Sequence, residues 1–132
     1  MKLNQILHEG YEAYVIDDRM RATLAQRFPP KFPEWIGHHV TYRFGVQRTP
    51  DEPYGERVDI EVIGYAMEDG LEALVCKVNG EVRRPDGKIY HITWSLDRSK
   101  GMKPAMSNNL IAQHGFQYVD PVKIFGTLEY LD

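Results

Sequence analysis

Apolar and polar residues alternate with a period of two along most of this chain, in runs bounded by turn residues, the pattern of half-buried strands. The runs at 11–16 (YEAYVI), 36–46, 57–67 (RVDIEVIGYAM), 71–78 (LEALVCKV), 89–97 (IYHITWSLD) and 122–131 (VKIFGTLEYL) each read as a strand. Glu68–Asp69–Gly70 predicts a hairpin, and RRPDGK at 83–88 predicts a second turn. A single helical segment, 18–28, has Asp17 or Asp18 as its cap and FPPKFP as its stop. The segment 28–35 is too rich in proline for a regular element. From 98 to 120 the periodicity is weak, which predicts a long loop with a short helix near 108–113. One main helix and about six strands predict an α+β domain built on a largely antiparallel sheet.

Composition narrows the function classes. At 132 residues the chain reads as one domain, 1–132, with 42% hydrophobic and 27% charged residues, as in ordinary globular proteins. A formal net charge of −3 provides no broad basic surface for duplex DNA or long RNA, though a small nucleotide needs only a local positive pocket. The single cysteine, Cys76, excludes an internal disulfide and a multi-cysteine zinc site, and reads as a packed strand residue. The N-terminal stretch lacks the apolar run of a secretory signal, and no stretch approaches a membrane span, so a cytoplasmic protein with no membrane partner is expected.

Two of the five histidines occur in the same three-residue pattern, HVT in HHVTYRFG (38–45) and HIT in YHITWSLD (90–97). Alternation puts His39, Thr41 and Arg43 on one face of the first strand, with His38, Val40, Tyr42 and Phe44 on the other. It puts His91, Thr93, Ser95 and Asp97 on one face of the second, with Tyr90, Ile92, Trp94 and Leu96 behind. Two imidazoles and two hydroxyls facing one volume suit phosphodiester chemistry. A neutral imidazole takes the nucleophile's proton, a protonated one supplies the leaving oxygen, and hydroxyls hold the nonbridging oxygens. Either triplet alone reads as strand packing, and the like-facing pair is what favours a site. Zinc binding would need a third ligand such as Asp97, Asp59 or Glu61, and no ligand motif supplies one. Arg43 and, in the segment after the second motif, Lys103 are candidate phosphate contacts, and Ser107 and Asn108 there are candidate substrate contacts that can donate or accept beside a cleft. Tyr11 is a candidate base-stacking ring. His38, Tyr42 and Trp94 read as packing residues.

With these residues in place, the chain resembles the 2H phosphoesterase superfamily of LigT-like RNA ligases and cyclic phosphodiesterases. HHVTYRFG and YHITWSLD look like its two His-x-Thr/Ser motifs. The text around them is similar to small phage, bacterial and fungal 2H-like domains, among them the phage anti-CBASS enzymes that open cyclic di- and trinucleotides. The resemblance runs from about Phe28 to Leu110. It implies acid/base roles for His39 and His91, phosphate contacts for Thr41 and Thr93, and no metal or other cofactor. It also implies a compact 2H-like fold and RNA-derived or cyclic nucleotides as substrates. The expected function is a metal-independent phosphodiesterase (a hydrolase) acting on a small cyclic nucleotide or cyclic oligonucleotide. The alternatives are 2′,3′-cyclic phosphate hydrolysis at RNA ends, as in RNA processing, and a nucleotide-binding domain without turnover. A purely structural domain would need no convergence of the two motifs.

Overall fold

The computed structural model describes residues 9–132. Most of the N-terminal stretch read above for a secretory signal, with His8, lies outside the described residues. β1 (Gly10–Val15) leads into α1 (Asp18–Arg27), which is capped by Asp17: its Oδ1 accepts from the Met20 amide at 2.8 Å. There follow β2 (Glu34–Trp35), β3 (His39–Val46), β4 (Arg57–Glu68), β5 (Leu71–Val78) and β6 (His91–Leu96). A 3₁₀ turn at Arg98–Lys100, α2 (Met106–His114) and β7 (Gln117–Leu131) complete the chain.

The protein is α+β with antiparallel pairing throughout, and its sheet closes on itself. The neighbour order β6-β3-β1-β7-β4-β5 returns from β5 to β6, making a six-stranded barrel, which the strand pattern alone does not reveal. Closure removes the edges that an open sheet would expose. β2 is a seventh, two-residue strand on the Leu96 end of β6. One residue in two along each strand faces the interior: Tyr14, Val40, Ile60, Val62, Leu74, Cys76, Tyr90, Ile92, Trp94, Ile124 and Leu128 pack there, with Leu24 of α1 against them. A second cluster lies outside the barrel, where Leu110 and Ile111 of α2 cover Ile63, Ala66, Leu71, Ala73, Val75 and Leu96.

The segment 98–120 is not the long loop its weak periodicity predicts. It holds the 3₁₀ turn, α2, which contains the short helix read at 108–113 and runs beyond it at both ends, and the start of β7, so the second helix is about as long as the first. The buried positions of α2, Ser107, Leu110 and Ile111, do follow helical spacing. Ser107 breaks the apolar stripe, and the N-cap Ala105 makes no side-chain capping bond, so the usual start signal is missing. β7 begins earlier than predicted because Pro121 lies between the register pairs Gly64↔Tyr118 and Val62↔Val122. There the ladder is broken and a missing N–H is tolerated.

The approach to β3 is fixed from two sides. Arg21 of α1 donates to the carbonyls of Ile36 (2.8 Å) and Trp35 (2.7 Å) and lies over the Trp35 ring at 3.6 Å. Trp94 donates its indole N–H to the Phe28 carbonyl at 2.8 Å, tying the proline-rich segment to the barrel. Gly37 then turns with φ +58°, and a Cβ there would stand 2.6 Å from the fully buried Trp94 ring. Gly37→Ala is therefore expected to destabilise the fold by on the order of 2–3 kcal/mol, from left-handed strain plus overpacking. Denaturant unfolding measures this, and a midpoint unchanged from the parent would contradict it.

Candidate functional site

β3 and β6 share a single register pair, Val40↔Ile92, and both side chains are fully buried in the barrel interior. The residues on either side of each must therefore project outward. Those residues are His39 and Thr41 on β3, and His91 and Thr93 on β6. All four line one open cleft of about 610 Å³ on the barrel's outer face.

Outside the triplets the alternation fails, and it fails at the same place in both strands. Tyr42 is an extra residue in β3, since Thr41 opposes Ala13 while Arg43 opposes Glu12. Trp94 is an extra residue in β6, since Thr93 opposes Ala73 while Ser95 opposes Glu72. Each bulge follows its threonine directly and reverses the facing of what comes next. Arg43, predicted beside Thr41, instead turns to Glu12 (Nε to Oε1, 2.7 Å) and also pairs with Glu52. It does not line the cleft. Phe44, predicted on the core side, swings to the cleft and is 74% exposed. Ser95, predicted beside His91, turns inward and donates to buried Glu72 at 2.6 Å, while Leu96 joins the outer cluster.

His38 also departs from its predicted place. Gly37 donates to the Thr93 carbonyl at 3.0 Å, and pairing with β6 resumes only at Val40, so His38 and His39 form an excursion between two paired stretches. β3 begins at His39, which pairs with Val15 of β1, so the alternation that faces His39 outward does not extend to His38, and His38 lines the cleft rim, exposed, instead of packing.

Of the remaining sequence candidates, Tyr11 and Asn108 line the cleft. Tyr11 stacks against Phe44 (5.9 Å between centroids, 29°) and packs on the His39 ring at 5.4 Å. Ser107 is fully buried and its Oγ lies 2.9 Å from Thr93 Oγ1, so it supports the threonine from below. Thr93 also donates to the Pro104 carbonyl at 3.2 Å, which leaves the Ser107 hydroxyl as donor to Thr93. Lys103 is exposed and does not line the cleft.

Three charged residues of the cleft are not candidates from the sequence: Arg84, Asp86 and Lys88, all in the 83–88 turn. They sit in a strong turn signal, which hides a charged constellation behind an ordinary explanation. The Arg84 side chain is nearly buried, and its Nε and Nη2 donate to the two Asp86 oxygens at 3.0 and 2.7 Å. That pairing pulls the Asp86 carboxyl down to about 2. Nη1 of Arg84 makes no hydrogen bond among the described residues, nor does the Thr41 hydroxyl.

The histidines are electrostatically distinct. Burial, with the charges of His38 and His91 added, lowers His39 to about 4. Burial also lowers His91 from the usual value. A hydrogen bond to the Ile89 carbonyl opposes this, while Arg84 and Lys88 add to it. Because a carbonyl only accepts, the 2.9 Å contact means His91 Nδ1 carries the proton and Nε2 is the nitrogen available for proton transfer. Among the described residues, no three His, Cys, Asp or Glu side chains come together as metal donors.

Both imidazoles are thus neutral in the folded chain at pH values where an unfolded histidine, with a pKa of about 6.5, is already taking up protons. This contribution to stability is full above pH 6.5 and is lost as the pH falls from 6.5 towards 4. Histidine NMR titration is expected to place His39 near 4 and His91 below 6.5, and a His39→Gln variant should show a flatter stability profile across that window. Ordinary titration of both rings near 6.5 would contradict it.

Comparison with models of known families, with curated proteins and with solved structures finds no match to this chain.

Proposed function

We propose that this chain is a metal-independent phosphodiesterase of the two-histidine type, hydrolysing a small cyclic nucleotide or cyclic oligonucleotide. The observation that carries the reading is the convergence of His39, Thr41, His91 and Thr93 on one cleft with two cations beside them. The compact 2H-like architecture belongs to the same proposal, since it rests on the motif resemblance.

In this reading His39 is the base. Its low pKa leaves it unprotonated through the neutral range, able to take a proton from the attacking water or ribose hydroxyl. His91 is the acid: Nε2 protonates the leaving oxygen as its bond to phosphorus breaks, and the Ile89 carbonyl steadies the imidazolium. Thr41 donates to one nonbridging oxygen. Thr93 reaches another by exchanging its bond to the Pro104 carbonyl for one to the phosphate, with Ser107 still donating to it. Arg84 Nη1 and Lys88 neutralise the phosphate. Where the nucleophile is a ribose hydroxyl, the histidines exchange roles in a second step that hydrolyses the cyclic product.

Burial is the largest cause of the lowered His91 pKa; Arg84 and Lys88 add to it, and a phosphate bound beside them would offset their part. The same neutrality favours a second reading, a domain that binds a nucleotide without cleaving it, since a site with no proton to give cannot protonate a leaving group. Hydrolysis of 2′,3′-cyclic phosphates on RNA ends uses the same four side chains.

A panel of 2′,3′-cyclic, 2′-5′ and cyclic 3′-5′ nucleotides, read by chromatography, separates these outcomes. Turnover is expected to survive chelator and to fall 10²- to 10⁴-fold, in order of magnitude, in His39→Ala and in His91→Ala. Folded variants that retain turnover would refute the mechanism, and ligands recovered intact from the parent protein would favour binding alone. In the pH profile of kcat/KM, the acid limb belongs to His39 near 4 and the alkaline limb to His91 below 6.5. Lys88→Met removes a charge that disfavours the imidazolium, so it should move the alkaline limb to higher pH. An unmoved or lowered limb would count against His91 as the acid.

A further inference from the structure

The fixed charges of the cleft come from one turn. Among the described residues, Arg84, Asp86 and Lys88 supply them all, two cations and one anion. His38, His39 and His91, each lowered from the usual histidine value, are neutral at pH 8, so the lining there carries one net positive charge.

An aspartate is an unexpected neighbour for a phosphate, and this one is held in place. Its Oδ1 accepts from Arg84 Nε and from the Lys88 amide, both at 3.0 Å, and its Oδ2 accepts from Arg84 Nη2 at 2.7 Å. Backbone bonds close the same turn: the Arg84 amide donates to the Lys88 carbonyl at 2.8 Å and the Gly87 amide to the Arg84 carbonyl at 2.9 Å. With its carboxyl pulled down to about 2, Asp86 is ionised throughout the neutral range.

We infer that Asp86 sets the charge the cleft accepts, so that a phosphorus group with one negative charge is held and one with two is rejected. A diester is thereby favoured over the monoester that its hydrolysis leaves. This rests on the reading of the cleft as a phosphate site and adds to it a residue that sorts substrate from product.

The pairing geometry carries it. Asp86 takes the Nε and Nη2 edge of the guanidinium and offsets most of its charge, leaving Nη1 to donate. Arg84 therefore gives direction, and Lys88 gives the net attraction. A phosphate on Nη1 shares one guanidinium with the carboxylate, which puts the two anions roughly 6 Å apart. The Asp86 side chain is 43% exposed and so partly screened. Even so, each added negative charge on phosphorus at that distance weakens binding by about three- to ten-fold.

The reaction supplies that charge at its last step. The oxygen of water joins phosphorus as the bond to the leaving oxygen breaks. One proton of the water ends on the leaving oxygen, and the other is shed to solvent as the monoester ionises. A diester has a single negative charge, whereas a monoester, with a second pKa of about 6, carries about two at pH 8.

The test is binding at pH 8 of adenosine 5′-sulfate and adenosine 5′-phosphate, which share a nucleoside and a tetrahedral shape and differ by one charge. Calorimetry gives the affinities, and shifts of the His39 and His91 ring signals report binding in the cleft. In Asp86→Asn, which keeps an acceptor for Arg84, the preference for phosphate over sulfate is expected to rise about three- to ten-fold. Asp86→Ser, a second neutral replacement, should move it the same way. Asp86→Glu keeps the charge, so its preference should match the parent's even where a displaced Arg84 weakens both ligands. Neutral variants with the parent's preference, or a Glu variant shifted as far as they are, would overturn the inference and leave the phosphate site standing. Histidine signals of the parent that neither ligand moves would refute the phosphate site, and this inference with it.

Discussion

The site depends on how the barrel closes. β6 pairs with β5 at five register positions but meets β3 at only one, Val40↔Ile92. Two aliphatic side chains that must stay out of water fix that seam, and the two-residue period of a strand then sends their four neighbours outward. Each neighbour pair is a histidine and a threonine. Elsewhere in the barrel the same geometry would present solvent-facing residues on a fully laddered sheet. Here the short seam is flanked by the His38–His39 excursion, so the outer face opens into a cleft. Burial of Val40 and Ile92 is thus the constraint from which the convergence of the polar groups follows.

Two buried carboxylates extend that constraint to the cleft walls. The bulge after Thr41 delivers Arg43 to Glu12, which also accepts from the Tyr54 hydroxyl at 2.7 Å. The bulge after Thr93 delivers Ser95 to Glu72, which also accepts from the Lys31 amide at 2.8 Å and from Tyr65. A buried carboxylate without partners is costly, so each network is stable only with its bulge in place. The consequence at the surface differs between the strands. On β3 the reversal brings Phe44 beside Tyr11 and builds an aromatic wall. On β6 it ends the polar front at Thr93 and sends Leu96 under α2, whose Ser107 then meets the threonine hydroxyl.

Much of this was legible in the sequence, within definite limits. Alternation placed His39 with Thr41 and His91 with Thr93, because between Val40 and Thr41, and between Ile92 and Thr93, the strands are regular. It misplaced Arg43, Phe44, Ser95 and Leu96, because a bulge is a pairing event and depends on the partner strand. Glu12 and Glu72 lie far from the motifs in sequence. Alternation sends His38 to the core because the run from 36 to 46 looks continuous, whereas the positive φ of Gly37 interrupts it. Barrel closure was not legible at all: it is a relation between β5 and β6 that no local period encodes. The sequence hides Arg84 for another reason. A turn composed of Arg, Pro, Asp and Gly explains itself, and only burial of the guanidinium marks it as more than a turn.

The electrostatics of the cleft have a direction that bears on any chemistry there. Burial lowers the proton affinity of both rings most; Arg84 and Lys88 lower that of His91 further, and His38 and His91 that of His39. An anion placed among these groups offsets the part of the two cations most strongly, since His91 feels both directly. In the proposed mechanism the ring held by a carbonyl at Nδ1 is therefore the one to gain a proton from a bound phosphate, while His39, packed against Tyr11, is the weaker base. Two histidines in matching motifs are in this way made unlike by what surrounds them. In the proposed mechanism that asymmetry separates an acid from a base; beyond the burial that lowers both rings, it comes from a turn and a carbonyl, neither of which belongs to the motifs themselves.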